Sequence, residues 1–238
     1  MISYRILLKS NTAFFRNDVT SSSYQETFNC PPLSTILGLI AASYGEYCHD
    51  FDFGYCFSYE FKCIDYELIL QKISKTEHVR RYEEYAKNDR FDRNDILRGC
   101  FGTIPVKREV LFNCQLVLYI SDKEIAKSFE NPFYSLLFGR SEDLVKVVKK
   151  PEKIELYESN KSKIKFGNTI VPLGENINLP GKISRMNTII SDSYPRIVEK
   201  SGIFYIIDKT YIIDNPVESI KYDSDLDIGV FIYDRNKI

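Results

Sequence analysis

The sequence predicts an α+β chain, with a ferredoxin-like domain over residues 1–150 and a mainly β region over residues 151–238. Three observations predict it. Before residue 150 the hydrophobic periodicities run strand, helix, strand, strand, helix, strand, the order of a split βαβ unit. The segment from Cys30 to Tyr47 is an apolar helix with both ends written in its residues. Beyond Lys150, short strands are punctuated by glycine and proline.

In the first strand, Ile2, Tyr4, Ile6 and Leu8 alternate with Ser3, Arg5 and Lys9, the period of a half-buried strand. The loop from Ser10 to Asn29 is rich in Ser, Thr and Asn, yet it carries Ala13, Phe14, Phe15 and Arg16, which a solvated loop does not need. In the helix that follows, Leu33, Ile36, Leu37, Ile40 and Tyr44 line one face. Pro31 and Pro32 suit its first turn, and Gly45 can leave it with positive φ. Gly38, Ala41 and Ala42 offer a smooth surface for close packing against a sheet.

The next strand, from Phe51 to Cys63, projects Phe51, Phe53, Tyr55, Phe57, Tyr59 and Phe61 to one face. Such a face is a core under helices, or a base-stacking platform of the kind RNA-recognition sheets use. Lys75 to Gly102 reads as an excursion from the main body, and the strand from Glu109 to Ile120 rejoins it. A second helix is expected from Asp122 to Phe138, with Asp122 at its N-terminus, a break or restart at Pro132 and a left-handed residue at Gly139. Leu144 to Val148 closes the unit as a short strand. Later strands are expected at Lys153–Glu158, Lys163–Phe166, Thr169–Pro172, Arg196–Glu199, Ile203–Asp208, Tyr211–Ile213 and Val230–Tyr233. The loop from Gly174 to Ser193 is read as mobile or as meeting a partner.

Composition bounds the function. A hydrophobic content of 44% with 27% charged residues is ordinary for a globular protein, and a run of 18 apolar residues or a signal peptide is absent, so no membrane partner and a cytoplasmic location are expected. The six cysteines form no CxxC and read as small buried hydrophobes in a reducing compartment, with no metal and no cofactor expected. A net charge of −1 excludes a protein coated by nucleic acid on every side. The charge is unevenly spread, however. Arg80, Arg81, Arg90, Arg93, Arg98 and Arg108 are half of the chain's twelve arginines, interleaved with Glu83, Glu84, Asp89, Asp92 and Asp95. That pattern fits a solvated charged segment as well as a phosphate-binding one.

Three separated segments in order carry a family resemblance: the loop with Ala13, Phe15 and Arg16; Pro31-Pro32-Leu33-Ser34-Thr35-Ile36-Leu37-Gly38-Leu39; and Asn131-Pro132-Phe133-Tyr134 leading to Leu137-Phe138-Gly139-Arg140-Ser141-Glu142. Together they resemble the Cas-five family, the RAMP-type subunit of type I CRISPR Cascade complexes, in the style of type I-B members. The resemblance implies an RRM/RAMP ferredoxin-like domain with a thumb-like insertion at residues 75–102. It implies a non-catalytic subunit that holds the repeat-derived 5′ handle of the crRNA, caps the foot of the Cas-seven backbone and contacts the large Cascade subunit, for antiviral defence.

On that reading the RNA-binding residues are Arg16, Arg80, Arg81, Arg90, Arg93, Arg98, Lys107, Arg108, Arg140 and Ser141. Guanidinium forks bind phosphate bidentately and stack on unpaired bases, and Tyr82, Tyr85 and Phe91 are candidate wedges beside them. Gly139 and Arg140 also have a purely structural reading, as a helix cap and a cation at a helix C-terminus. The alternative is an enzyme: type I-C members of the family cleave precursor crRNA without metal through a tyrosine, a lysine and a histidine. Here Tyr44 or Tyr47 and Lys107 would correspond, but Arg108 follows the lysine, and the histidines are His49 and His78. A third reading is a free-standing ferredoxin-like RNA-binding module.

Overall fold

The computed structural model describes residues 1–17, 20, 23–72, 101–158, 163–175, 180–193, 195–214 and 217–238. Along the chain these form β1 (Ile2–Ala13), β2 (Tyr24–Gln25), α1 (Leu33–Tyr44), β3 (Asp52–Ser58), β4 (Phe61–Lys72), β5 (Phe101–Ile120) and α2 (Lys123–Ser128). Then come β6 (Val145–Glu155), β7 (Tyr157–Glu158), β8 (Lys163–Pro172), β9 (Lys182–Ile190), β10 (Val198–Asp214), β11 (Ile220–Asp223) and β12 (Ile228–Asp234). The chain divides into a larger compact unit, Met1–Asn17, Thr27–Cys63 and Val110–Ile238, and a smaller one, Asp18–Glu26 and Ile64–Glu109.

In the larger unit the main sheet runs β6-β1-β5-β3-β12-β11-β7, each neighbour antiparallel. β7 follows β6 after the single residue Leu156, whose N–H donates to the Met1 carbonyl at 2.8 Å, so the two ends of this order are continuous in the chain. β8, β10 and β9 make a separate three-stranded sheet. One face of the main sheet carries the principal core, where Ile6, Leu8, Phe53, Tyr55, Phe57, Leu116, Leu118 and Ile120 meet Leu33, Ile36, Leu37 and Ile40 of α1. Burying each of these side chains contributes about 1.5–3 kcal/mol. The opposite face holds a smaller cluster of Val117, Tyr119, Ile154, Leu156 and Val230.

In the smaller unit, β2 pairs in parallel with β5 at Lys107 and Arg108. The register reaches only those two residues, so Pro105 lies beyond it and its missing N–H costs no bond there.

The α+β, ferredoxin-like class expected from the sequence does not hold, because the chain is mostly β. The second helix explains much of the difference. Its N-cap is as expected, with the Asp122 carboxylate accepting from the Ile125 N–H at 2.9 Å, but α2 stops at Ser128. Pro132 disfavours helical backbone in the residue before it, so the segment to Phe138 runs as turns. The sheet also continues through β12, β11 and β7, and β9 lies inside the span expected to be a loop from Gly174 to Ser193.

Smaller differences follow from packing. The strand expected from Phe51 to Cys63 is two strands joined at Tyr59 and Glu60, and Phe61 leaves the core, half-exposed, to stack on Phe112 at 4.9 Å. Tyr44 at the last turn of α1 is exposed, and Ser43 is buried beside the expected core face. β5 begins at Phe101, eight residues before the expected start at Glu109. Gly45 ends α1 with φ 105°, as its place in the sequence predicts. The excursion at residues 75–102 falls outside the described residues except for Phe101 and Gly102, which open β5.

Candidate nucleic-acid interface

β1 delivers the chain to Phe14, whose N–H donates to the Phe138 carbonyl at 3.0 Å. Gly139 follows with φ 110°, and a Cβ built on it would lie 1.9 Å from the Phe14 carbonyl oxygen. No other residue type fits that approach. Phe15 is buried edge-on against Phe57 at 5.2 Å and Phe138 at 6.2 Å, and its N–H donates to the Thr27 hydroxyl at 2.9 Å. Arg16 bridges Thr27 through its backbone and stands exposed. The loop after β1 is therefore anchored by two phenylalanines, which fixes where Arg16 projects.

The last turn of α1 holds the Asn131–Tyr134 segment. The Phe133 N–H donates to the Ser43 carbonyl at 3.0 Å and the Tyr134 N–H to the Ala42 carbonyl at 2.8 Å. Between them lies an open groove of about 600 Å³, lined by Ser34, Gly38, Ala42, Tyr134, Gly139 and Arg196 among others. Gly38 was expected to meet a sheet; a Cβ there would touch nothing within 4 Å, so it faces the groove instead. Within the larger unit the helix-opening segment and the Tyr134–Gly139 segment thus share this groove, and the loop after β1 joins the latter at Phe138 and Gly139.

The basic residues expected to face RNA divide sharply. Arg140 holds Asp143 through Nε at 3.0 Å and Nη2 at 2.9 Å, pairs with Glu142 at 3.2 Å, and sits 5.9 Å from the centre of the Phe14 ring. Asp143 is wholly buried and also accepts from the Thr12 hydroxyl at 2.6 Å. A phosphate would have to compete with that carboxylate for Arg140. The Ser141 hydroxyl is exposed and donates to Glu142 at 3.1 Å.

In the smaller unit, Arg108 is buried, with Nε donating to Gln25 at 3.0 Å and Nη1 paired with Glu67. Lys107 is exposed, its ammonium 5.5 Å from the centre of the Tyr66 ring. Arg80, Arg81, Arg90, Arg93 and Arg98 lie outside the described residues, as does His78; His49 is exposed. Among the described residues no cluster of three or more His, Cys, Asp or Glu is arranged to hold a metal. Cys30 and Cys114 are buried free thiols, Cys48 and Cys56 are half-buried, and Cys63 is exposed.

Sequence reasoning missed a buried charge cluster on the second face of the sheet. Arg5 donates to both Asp223 oxygens at 3.1 and 2.9 Å, and to Glu152 at 2.9 Å. Asp223 also accepts from the Tyr119 hydroxyl at 2.9 Å and from the N–H groups of Asp225 and Leu226. Burial pushes the Tyr119 phenol up, with the nearby Cys56 and Asp223 adding to it. Burial opposes the Arg5 charge, but the bonds to Glu152 and Asp223 outweigh it and hold the guanidinium charged. The alternation of Arg5 with Tyr4 and Ile6 was visible in the sequence; its partner 218 positions away was not.

No family model matches the sequence. No curated protein matches it either. Among solved structures, the chain is similar to a protein in a cryo-EM structure of the type III-B Cmr-beta bound to cognate target RNA and AMPPnP. The TM-score is 0.50 at 10% identity, covering 87% of this chain and 86% of that one. A CRISPR protein from Archaeoglobus fulgidus gives a TM-score of 0.49 at 13% identity over 97% of this chain and 99% of that one. A chain of a CRISPR RNA-guided surveillance complex gives 0.38 at 17% identity, and the match spans 58% of each chain. At these identities the likeness to the Cmr-beta protein is one of fold alone.

Proposed function

We infer that this chain is a non-catalytic RNA-binding subunit of a CRISPR effector complex, of the Cas-five kind, holding the repeat-derived 5′ handle of the crRNA. The observation that carries the reading is the junction at Gly139, where the loop after β1 packs against the turn after Phe138 and that turn shares a groove with the helix-opening segment. The overall likeness to the Cmr-beta protein supports it at the level of fold. In this reading Arg16 takes a phosphate from its anchored loop, while Arg140 shapes the junction through Asp143. The arginines at positions 80, 81, 90, 93 and 98 supply further contacts from the excursion, and a Cas-seven backbone subunit and a large subunit are the protein partners.

Co-purification with the products of neighbouring genes, followed by sequencing of the bound RNA, tests the reading directly. Recovery of repeat-derived 5′ ends is expected. A variant with residues 76–98 replaced by a short Gly-Ser linker is expected to fold but not to enter a crRNA-bearing complex. Cleavage of labelled precursor repeat RNA in EDTA, lost in His78→Ala, would replace this reading with the nuclease one.

A further inference from the structure

The main sheet carries a row of side chains whose register sets them on one face across four strands. Lys146 of β6 is opposite Lys9 of β1, Lys9 is opposite Gln115 of β5, and Gln115 is opposite Ser58 of β3. Lys146, Lys9 and Ser58 are exposed and Gln115 is half-buried. The Lys9–Lys146 juxtaposition is unfavourable by itself, since like charges directly opposite in an antiparallel pair repel. Among the described residues, none of these four side chains has a hydrogen-bond or ion-pair partner.

A second feature of the strand adds to the same charge. Leu8 pairs with Val147 and Leu7 with Lys149, so the register slips by one residue at Val148. Simple alternation would place positions 146 and 148 on one face; the slip brings Lys149 round to join Lys146. Three ammonium groups, an amide and a hydroxyl therefore crowd one solvent-facing surface, and none of the three ammonium groups makes an ion pair among the described residues.

We propose that this surface binds the phosphodiester backbone of single-stranded nucleic acid, laid across β6, β1, β5 and β3 over Lys146, Lys9, Gln115 and Ser58, with Lys149 beside the row. Three interstrand spacings give the row a length of about 14 Å, enough for two to three successive phosphates. Every group in the row can donate a hydrogen bond, which suits phosphate oxygens. An acidic protein is the less favoured occupant, because the row carries no apolar anchor of the kind a protein interface buries at its centre. The surface is distinct from the Phe14–Gly139 junction; the choice of nucleic acid as ligand rests on the function inferred above.

Fluorescence anisotropy with the intact protein and a labelled oligouridylate, which lacks any repeat sequence, tests this across about 50–200 mM salt. Lys9→Ala with Lys146→Ala should weaken binding at least several-fold and reduce the salt slope by about 1.4, near 0.7 for each single-strand phosphate no longer neutralised. Lys146→Glu supplies the second readout: with no nucleic acid present it should raise Tm by about 1–3 °C, by turning a like-charge pair into an attractive one, while weakening binding several-fold. Unchanged affinity and slope in both variants would overturn the proposal. So would a poly-glutamate peptide that binds as tightly as the oligonucleotide and is lost in the same variants. Arg16→Ala, measured with repeat-derived RNA, reports on the handle separately, so failure there leaves the oligouridylate result standing.

Discussion

The carbonyl oxygen of Phe14 occupies the space a side chain on Gly139 would need, 1.9 Å from the position of its Cβ. The obstacle is backbone, so it cannot rotate away as a side chain would. Combined with φ 110° at Gly139, this makes the junction a point where one methyl group separates the loop after β1 from the turn after Phe138. Gly139→Ala should cost about 3 kcal/mol or more in urea unfolding and weaken handle binding with it. Retention of full stability would mean that the two segments are held together elsewhere.

Arg16 and Arg140 should respond differently to truncation. Arg16 is exposed at the end of an anchored loop, so Arg16→Ala should change stability by less than about 0.5 kcal/mol while reducing handle affinity and the salt slope. Arg140→Ala strips the wholly buried Asp143 of its guanidinium and should cost about 3 kcal/mol. Thermal unfolding and filter binding, run side by side on both variants, separate the two roles.

The Arg5–Asp223–Tyr119 cluster offers a stability test that does not involve RNA. Asp223→Ala leaves the Arg5 charge half-buried with only its more exposed partners, and a loss of about 3–5 kcal/mol is expected. Tyr119→Phe removes one hydrogen bond to a carboxylate that keeps its other donors, so about 1 kcal/mol is expected. Equal losses in the two variants would contradict the bond assignment.

Alkaline pH should destabilise the fold through its buried thiols. Burial pushes the Cys114 thiol up to about 12, with Asp143 adding to the shift, whereas an unfolded thiol ionises near its ordinary value of 9.0. The stabilisation is complete below about pH 9 and is lost as pH rises from there towards 12, because only the unfolded chain then releases the proton. The slope is at most about 1.4 kcal/mol per pH unit for each such group. Cys56 and the buried tyrosines Tyr55, Tyr119 and Tyr233 act in the same direction. Chemical denaturation at stepped pH should show this fall, and Cys114→Val should make it shallower.

What the sequence revealed was mostly local. Gly45 and Gly139 mark positive φ, Asp122 marks a helix start, and the alternation of Phe53, Tyr55 and Phe57 marks a buried strand face; each is a short-range signal that the structure retains. The fates of Arg108 and Arg140 were not legible, because a basic residue in a loop or strand does not announce whether Glu67 or Asp143 will fold against it. β9 escaped because Lys182–Ile190 mixes Ser184, Arg185, Asn187 and Thr188 with its apolar positions, and its pairing with β10 comes from a segment beyond the window of any periodicity. The row from Lys146 to Ser58 was invisible for the same reason: four strands had to be registered before its members became neighbours.

β12 pairs with β3 through Ile232 and Gly54, Tyr233 and Phe53, and Asp234 and Asp52, partners separated by about 180 residues. During synthesis β3 emerges early, and the strand that covers its edge follows only after that whole interval. At about 5–20 residues per second, the aromatic strand waits some 10–35 s on the ribosome with that edge unprotected. Contacts of such long sequence separation slow folding, and until β12 arrives that edge of β3 is open to pairing with another chain.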